Sequence, residues 1–345
     1  MRARSLIIGV LISAVFLVLA FRKTDLQEVW AHLAAARYTY LLPASLLTLA
    51  AFWIRALRWG SLLYPLRQIS IGPLYSATMI GFMCNNILPM RLGEFVRAYV
   101  IGRSACIRPS AAFATIVIER LFDLFSMITV FGFILIFFPF HNRMFKAGVL
   151  AAFLGGLGVL GALLAFHLRG ERVVTWLGPL IPRRIRERIL RSLGSFRAGL
   201  GIFRDPRRMA VVAGLTLIMW LCFAVVVQLC FLSARLEEVQ SLPPLASLVV
   251  MVVMAIGIMV PSGPGFVGTL QAAAVLGLAI VGYKDQGRAL GFSILYHATQ
   301  WFPVVLVGMV YLMKEQISLA QVGRISSEEV LAEEPPGGPG APCGG

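Results

Sequence analysis

CNNILPMRLGEFVRAYV, residues 84–100, decides how this chain folds. It closes an apolar run that starts at Ile71, yet it carries two Asn, one Pro, two Arg, one Gly and one Glu. If 71–89 crosses a membrane completely, this polar stretch is an ordinary loop. If the chain turns back at Pro89, it is the tip of a hairpin. The two arrangements place the flanking loops on opposite sides, so the basic residues of those loops discriminate between them.

That the chain is a membrane protein follows from composition. Of its 345 residues 59% are hydrophobic and 14% charged, against about 25% charged in soluble domains. Apolar segments occupy 5–21, 40–59, 71–89, 110–138, 147–168, 210–232, 245–260, 266–282 and 289–313. Most approach the ~20 residues needed to cross hydrocarbon. The first resembles a signal peptide but runs into Arg22 and Lys23 instead of a small-residue cleavage site, so we read it as a retained helix. Residues 26–39 read as a short amphipathic helix at the interface. The net charge of +15 reflects basic cytoplasmic loops rather than a nucleic-acid partner. The five Cys show no CxxC spacing and imply neither a disulfide framework nor a zinc site.

Residues 169–208, the longest polar loop, hold eleven Arg against Glu171, Glu187 and Asp205, which marks them as cytoplasmic. With this loop inside, a full crossing at 71–89 places Arg2, Arg4, Arg55, Arg58 and Arg67 outside. A hairpin over 71–108 places all of them inside, together with Arg97, Arg103 and Arg108, and leaves 233–244 outside. The second arrangement obeys the charge bias better. Residues 245–282 have the same character around PSGPGFVG, 261–268. The expected fold is therefore an all-α polytopic bundle of six full spans and two re-entrant hairpins entering from opposite faces, the alternative being eight spans with two kinked. Residues 1–314 form the membrane domain and 315–345, ending in PPGGPGAPCGG, a disordered tail. Both termini fall in the cytoplasm, and the membrane is a bacterial cytoplasmic one. Paired broken helices in the two halves of a chain point to a transporter binding site.

Acidic residues are scarce enough to be informative. Between 29 and 170 there are three: Glu94, Glu119 and Asp123. Glu119 and Asp123 lie in IVIERLFDLF, 116–125, on one face of a helix, with Glu119 about 14 Å along it from Ser110. An ionised group at that depth costs about 2.5–3.5 kcal/mol. The two carboxylates therefore pair with Arg, with Arg91 or Arg97 the expected partners, or serve a ligand or proton site. Arg91, Glu94 and Arg97 recur at three-residue spacing along one stripe, and Arg grips phosphate oxygens in a two-pronged fashion. Asn85 and Asn86 add neutral hydrogen-bonding groups.

Gly263, Gly265 and Gly268 formally spell GxGxxG, but the long apolar run before them and the missing βαβ context exclude a dinucleotide fold. Glycines at a helix start can still bring free N–H groups to an anion, with Ser262 and Gln271 nearby. His297 interrupts the last span, where hydrogen-bonded packing is the commoner role. The chain shows no nucleophile elbow, P-loop, HExxH or metal-ligand cluster, so no cofactor or metal is expected and the protein is read as non-enzymatic.

NNILPMRLGEFVRA, ERLFD some thirty residues later and PSGPGFVGTLQ resemble, in that order, the flippase-like transmembrane domain of lysylphosphatidylglycerol synthases. Arg58-Trp59 also fits, and the likeness spans most of 5–313. The resemblance implies an integral membrane protein that moves a lipid between leaflets. Asn86, Pro89, Arg91, Gly93 and Glu94 match the first motif, Glu119, Arg120 and Asp123 the second, and Pro261, Gly265 and Gly268 the third. Gln271 stands where the family often has an acid, and no synthase domain follows residue 313.

Together these readings predict a flippase for an anionic phospholipid or lipid-linked phosphate. Arg91, Arg97 and Arg120 would bind the headgroup, and Glu94, Glu119 and Asp123 would hold the Arg or carry a coupling proton. A lipid synthase or glycosyltransferase is the partner anticipated. The alternatives are a membrane enzyme acting on a lipid phosphate and a non-transporting scaffold for lipid modification.

Overall fold

Four prolines set helix boundaries. A proline ring pushes the residue before it out of the helical region. Leu88 is extended at φ −93°, ψ 146° before Pro89, and Val260 at φ −65°, ψ 129° before Pro261. Arg108 and Asp205 are likewise extended before Pro109 and Pro206. The first two prolines end helices. The last two begin them, at the first helical position, where a missing N–H is harmless.

The computed structural model describes residues 11–18, 25–88, 92–138, 143–144, 146–148, 150–151, 153–158, 205–260 and 263–318. Every regular element among them is helical. They are α1 (Leu26–Ala34), α2 (Leu41–Leu63), α3 (Ile71–Ile87), α4 (Gly93–Ala105), α5 (Pro109–Phe137), α6 (Pro206–Ser233), α7 (Leu236–Val239), α8 (Ala246–Met259), α9 (Thr269–Ile280) and α10 (Gln286–Lys314). Helical stretches at 11–18 and 153–158 belong to the expected spans 5–21 and 147–168. The basic loop through residue 204 and the tail from 319 lie outside the described residues. α1 is shorter than the amphipathic helix expected over 26–39, because the chain bends after it into a 3-10 turn at Tyr38–Tyr40.

Four helices among the described residues are long and apolar enough to cross a membrane: Tyr38–Leu63, Pro109–Phe137, Pro206–Ser233 and Gln286–Lys314. Their outward faces carry Leu46, Ile136, Leu217 and Leu306, all more than half exposed, as befits side chains that meet lipid. The protein is an all-α polytopic membrane bundle. Cys84, Cys222 and Cys230 are free. Cys106 closes α4 in left-handed geometry.

The same order, long helix, hairpin of short helices, long helix, occurs twice. In the first half it is α2, α3–α4 and α5, and in the second α6, α8–α9 and α10. The hairpin arms have 17, 13, 14 and 12 residues, about 18–26 Å at 1.5 Å per residue, short of the ~30 Å of hydrocarbon. α10 fixes how the hairpins sit. The open end of the first lies at the C-terminal end of α10, where Ser76 Oγ donates to Glu315 Oε1 at 2.7 Å. The open end of the second lies at its N-terminal end, where Gln240 Nε2 donates to Gly282 O at 2.8 Å. The tips meet between them: a Cβ on Gly265 would come within 3.3 Å of both Asn86 O and Trp301 Nε1, and Trp301 is near the middle of α10. The hairpins thus enter the bundle from opposite ends, as the loop charges predict. Each is wrapped by its own apolar core.

The arms of the first hairpin touch backbone to backbone. A Cβ on Gly93 would overlap Gly81 O and stand 2.6 Å from Asn85 Oδ1. A Cβ on Gly214, on α6, would meet nothing within 4 Å. Gly93→Ala should therefore lower the melting temperature in detergent, by the ~1–3 kcal/mol of an overpacked core, whereas Gly214→Ala should leave it unchanged or raise it slightly. Equal melting of the two variants would remove the close contact as the reason for glycine at 93.

Candidate functional site

Seven charged side chains from α2, α4 and α5 converge beside the hairpin tips. On α5, Glu119 and Asp123 lie one turn apart, with Arg120 next to Glu119. Arg55 and Arg58, three apart on α2, face them. Arg55 Nη1 lies 2.9 Å from Glu119 Oε1 and 3.1 Å from Asp123 Oδ2. Arg58 Nη2 lies 3.1 Å from Glu119 Oε1 and 2.7 Å from Asp123 Oδ1. Arg97 Nη1, from α4, reaches Glu119 Oε2 at 2.9 Å. Arg120 bridges the two helices it touches, at 3.2 Å from Asp123 Oδ2 and 3.2 Å from Glu94 Oε1.

Neutral groups fix the guanidinium planes. Arg97 lies over the Trp59 ring at 3.8 Å, an attraction between cation and π face. Trp59 Nε1 donates to Thr115 Oγ1 at 2.9 Å, and Arg58 Nη1 donates to Thr216 Oγ1 at 3.2 Å. Arg58, Arg97 and Glu119 have no exposed surface, while the Arg120 side chain is 40% exposed. Four guanidinium groups against three carboxylates leave the cluster with one positive charge.

Arg120 is exposed to a cavity of about 330 Å³. Arg55, Glu94, Arg120 and Asp123 form its charged wall, Asn85 and Asn86 enter from the first hairpin, and Gly265 and Phe266 from the second. α10 contributes His297, Gln300 and Trp301, and Phe82, Phe223, Met251 and Ile258 are among its apolar lining. Arg120 and Asp123 are the twelfth and fifteenth residues of the 29-residue α5. His297 and Gln300 hold the same places in the 29-residue α10. The two halves present matching positions to one cavity, charged on one side and neutral on the other.

Asn85, Asn86, Glu94, Arg120, Asp123, Gly265 and His297 are thus brought together around one space. Arg91 and Ser262 lie outside the described residues. Arg97 is not on the cavity; it is sealed beneath Trp59 and holds Glu119. At the Gly263–Gly268 helix start two of the N–H groups are already taken within the protein. Gly263 N donates to Ser13 Oγ at 2.8 Å, and Gly268 N to Gln271 Oε1 at 2.7 Å. Gln271 does not reach the cavity either. Because its oxygen is taken by Gly268, its amide NH₂ faces His297 Nδ1, 2.9 Å away. Nδ1 therefore accepts, and the neutral imidazole carries its proton on Nε2. Asn85 has a capping role as well: its Oδ1 accepts from Gly93 N at 2.9 Å, closing the first hairpin.

Arg55 and Arg58 are the residues that sequence reasoning misplaced. Counted as interfacial loop charges, they are buried inside the bundle. A signal was present: two Arg three apart within an apolar segment need carboxylates, and the two scarce acids of α5, four apart, match that spacing.

A model of the family described as Lysylphosphatidylglycerol synthase TM region matches residues 6–308, and the chain belongs to that family. It is 27% identical to a UPF0104 membrane protein of Methanothermobacter thermautotrophicus, over 75% of this chain and 79% of that one. It is 24% identical to the glycosyltransferase AglD of Haloferax volcanii, over 95% of this chain but 57% of AglD, so it spans little more than half of that relative's length. No solved structure matches significantly.

Removing one partner of a buried ion pair leaves the others without compensation, at a cost of about 3–5 kcal/mol. Glu119 serves Arg55, Arg58 and Arg97 at once, so Glu119→Gln should abolish or severely reduce the folded yield in detergent. Glu94, paired with Arg120 alone among the described residues, should tolerate Gln with a smaller loss, because Arg120 keeps Asp123. Size-exclusion profiles and melting curves of the two variants check the order, and a reversed order would contradict it.

Proposed function

We propose that this member of the lysylphosphatidylglycerol synthase transmembrane-region family moves an anionic phospholipid or lipid-linked phosphate between leaflets, without an enzymatic step of its own. The observation that carries this reading is the shared cavity at the two hairpin tips, with Arg120 exposed in it on a cluster of net positive charge. Guanidinium groups suit phosphate oxygens. The apolar side chains around the rest of the cavity suit the first methylenes of a lipid tail. Hairpins that enter from opposite ends place this site between the two faces of the bundle, where a carrier needs it. The eleven Arg of 169–208 lead into α6 at the end where the first hairpin opens. We assign that end to the cytoplasm of a bacterial cell, and both termini with it.

A second reading is favoured by the match to AglD. The bundle would hold a lipid phosphate for a separate synthase or glycosyltransferase without moving it. Both readings require binding of the lipid, and leaflet exchange separates them.

In proteoliposomes carrying fluorescent phosphatidylglycerol, the protein should speed leaflet exchange at least ~10-fold over protein-free vesicles. Arg120→Gln should remove most of that gain, since a lost charge-assisted hydrogen bond is worth about 1.5–3 kcal/mol. Phosphatidylcholine should exchange more slowly than phosphatidylglycerol. Exchange unaffected by Arg120→Gln would sink the transport reading. Binding without any exchange would favour the second.

A further inference from the structure

The three carboxylates of the site are not equivalent. Glu119 touches Arg55, Arg58 and Arg97, and Asp123 touches Arg55, Arg58 and Arg120. Each keeps at least two cations when any one Arg moves away. Among the described residues Glu94 has Arg120 alone, at 3.2 Å through Oε1. Its other oxygen, Oε2, is buried and, among the described residues, has neither a hydrogen-bond partner nor an ion pair. Arg120 is the most exposed guanidinium of the four and lines the cavity.

We propose that Glu94 is the proton-accepting carboxylate of this site, so that binding of an anionic phosphate is linked to uptake of one proton. The proposal rests on the lipid-binding reading above and adds its coupling. A phosphate oxygen that enters the cavity meets Arg120 first, and because Nη2 is itself buried against Glu94, binding the phosphate through it draws the guanidinium away from Glu94. Once Arg120 turns to the phosphate, Glu94 is a buried carboxylate with no cation within ion-pair distance among the described residues. A buried charge left alone is neutralised instead of tolerated. The proton comes from water in the cavity, an O–H bond forms on Glu94, and the same proton returns to water when the phosphate leaves and Arg120 swings back.

The surroundings of Glu94 agree. From its own helix comes Arg97, committed to Glu119 and stacked on Trp59. From α5 come Arg120, Glu119 and Asp123, the last two negative. From α3 come the neutral Asn85 and Asn86, and Asn85 already caps Gly93. Arg55, across the cavity, is held by Glu119 and Asp123, and His297 is neutral and tied to Gln271. No other cation in this set is free to replace Arg120. For a phosphodiester such as phosphatidylglycerol the net charge of the site then stays the same on loading: the headgroup adds one negative charge and the proton one positive, which lowers the cost of moving the loaded site through an apolar medium.

The test uses the purified protein in weakly buffered detergent solution with a pH-indicating dye. Titration with short-chain phosphatidylglycerol should take up about one proton per lipid bound, and affinity should tighten about tenfold per pH unit of acidification across the linked range. Glu94→Asp should keep the linkage. Glu94→Gln should bind without proton uptake and with an affinity that no longer varies with pH. The proposal is overturned if wild type binds without uptake, if Glu94→Gln takes up a proton as wild type does, or if Glu94→Gln melts like wild type but no longer binds. Glycerophosphoglycerol, a phosphodiester that keeps a single negative charge and no titrating proton in this range, serves as the soluble arm. It should bind at least ~10-fold more weakly than the lipid, because it cannot use the apolar wall, yet carry the same proton. Glycerophosphoglycerol binding as tightly as lipid would overturn the lipid assignment while leaving the proton linkage intact, so the two failures are distinguishable.

Discussion

A carboxylate with no exposed surface, in the interior of a bundle whose outer face meets lipid, has to be surrounded by cations. Glu119 meets that demand by drawing three guanidinium groups from two helices, α2 and α4, onto α5. The positions of those helices relative to one another follow. α2 turns its Arg55–Arg58 face toward α5, and α4 lies close enough for Arg97 to reach Glu119 from beneath Trp59. Neighbouring polar groups are arranged around this point: Thr115 and Thr216 orient the aromatic and guanidinium planes, and Arg120 carries the network outward to Glu94 and the cavity.

The second constraint is the backbone at the breaks. Helices that stop inside the bundle leave N–H groups that neither lipid nor a neighbouring strand can satisfy. Local partners take them instead. Asn85 receives Gly93 N, Ser13 receives Gly263 N, and Gln271 receives Gly268 N. These polar side chains look like ligand groups in a one-dimensional reading because they cluster at the tips. Much of their capacity goes into holding the tips in shape, and two N–H groups of the glycine-rich turn are satisfied within the protein in this way. What remains open to the cavity is Arg120 with its carboxylates on one wall and neutral groups of α10 on the other.

The repeated order of long helix, hairpin and long helix explains why a single cavity receives both tips. The halves are joined through α2 and α6 and through α10, whose N-terminal half packs in one core and whose C-terminal half packs in the other. Matching positions of α5 and α10 face the same space, but their residues have diverged: Arg120 and Asp123 on one, His297 and Gln300 on the other. A symmetric frame therefore holds a chemically asymmetric site.

Much of this was legible in the sequence. Composition determines a membrane bundle, because few charges and many apolar runs admit no soluble core. Loop charge and the prolines at 89 and 261 determine where two segments turn back, since a proline excludes the residue before it from the helix. The scarcity of acids determines that Glu94, Glu119 and Asp123 matter. Only the tertiary structure decided which Arg answers which acid. Arg55 and Arg58 lie more than sixty positions from their partners, and the energetic need for a counter-ion does not say which of several cations supplies it. The same holds for Arg97 and Gln271, whose side chains can point into a cavity or away from it with no change in sequence pattern. Rotation of a helix about its axis is set by packing against its neighbours, and that information exists only once the neighbours are in place.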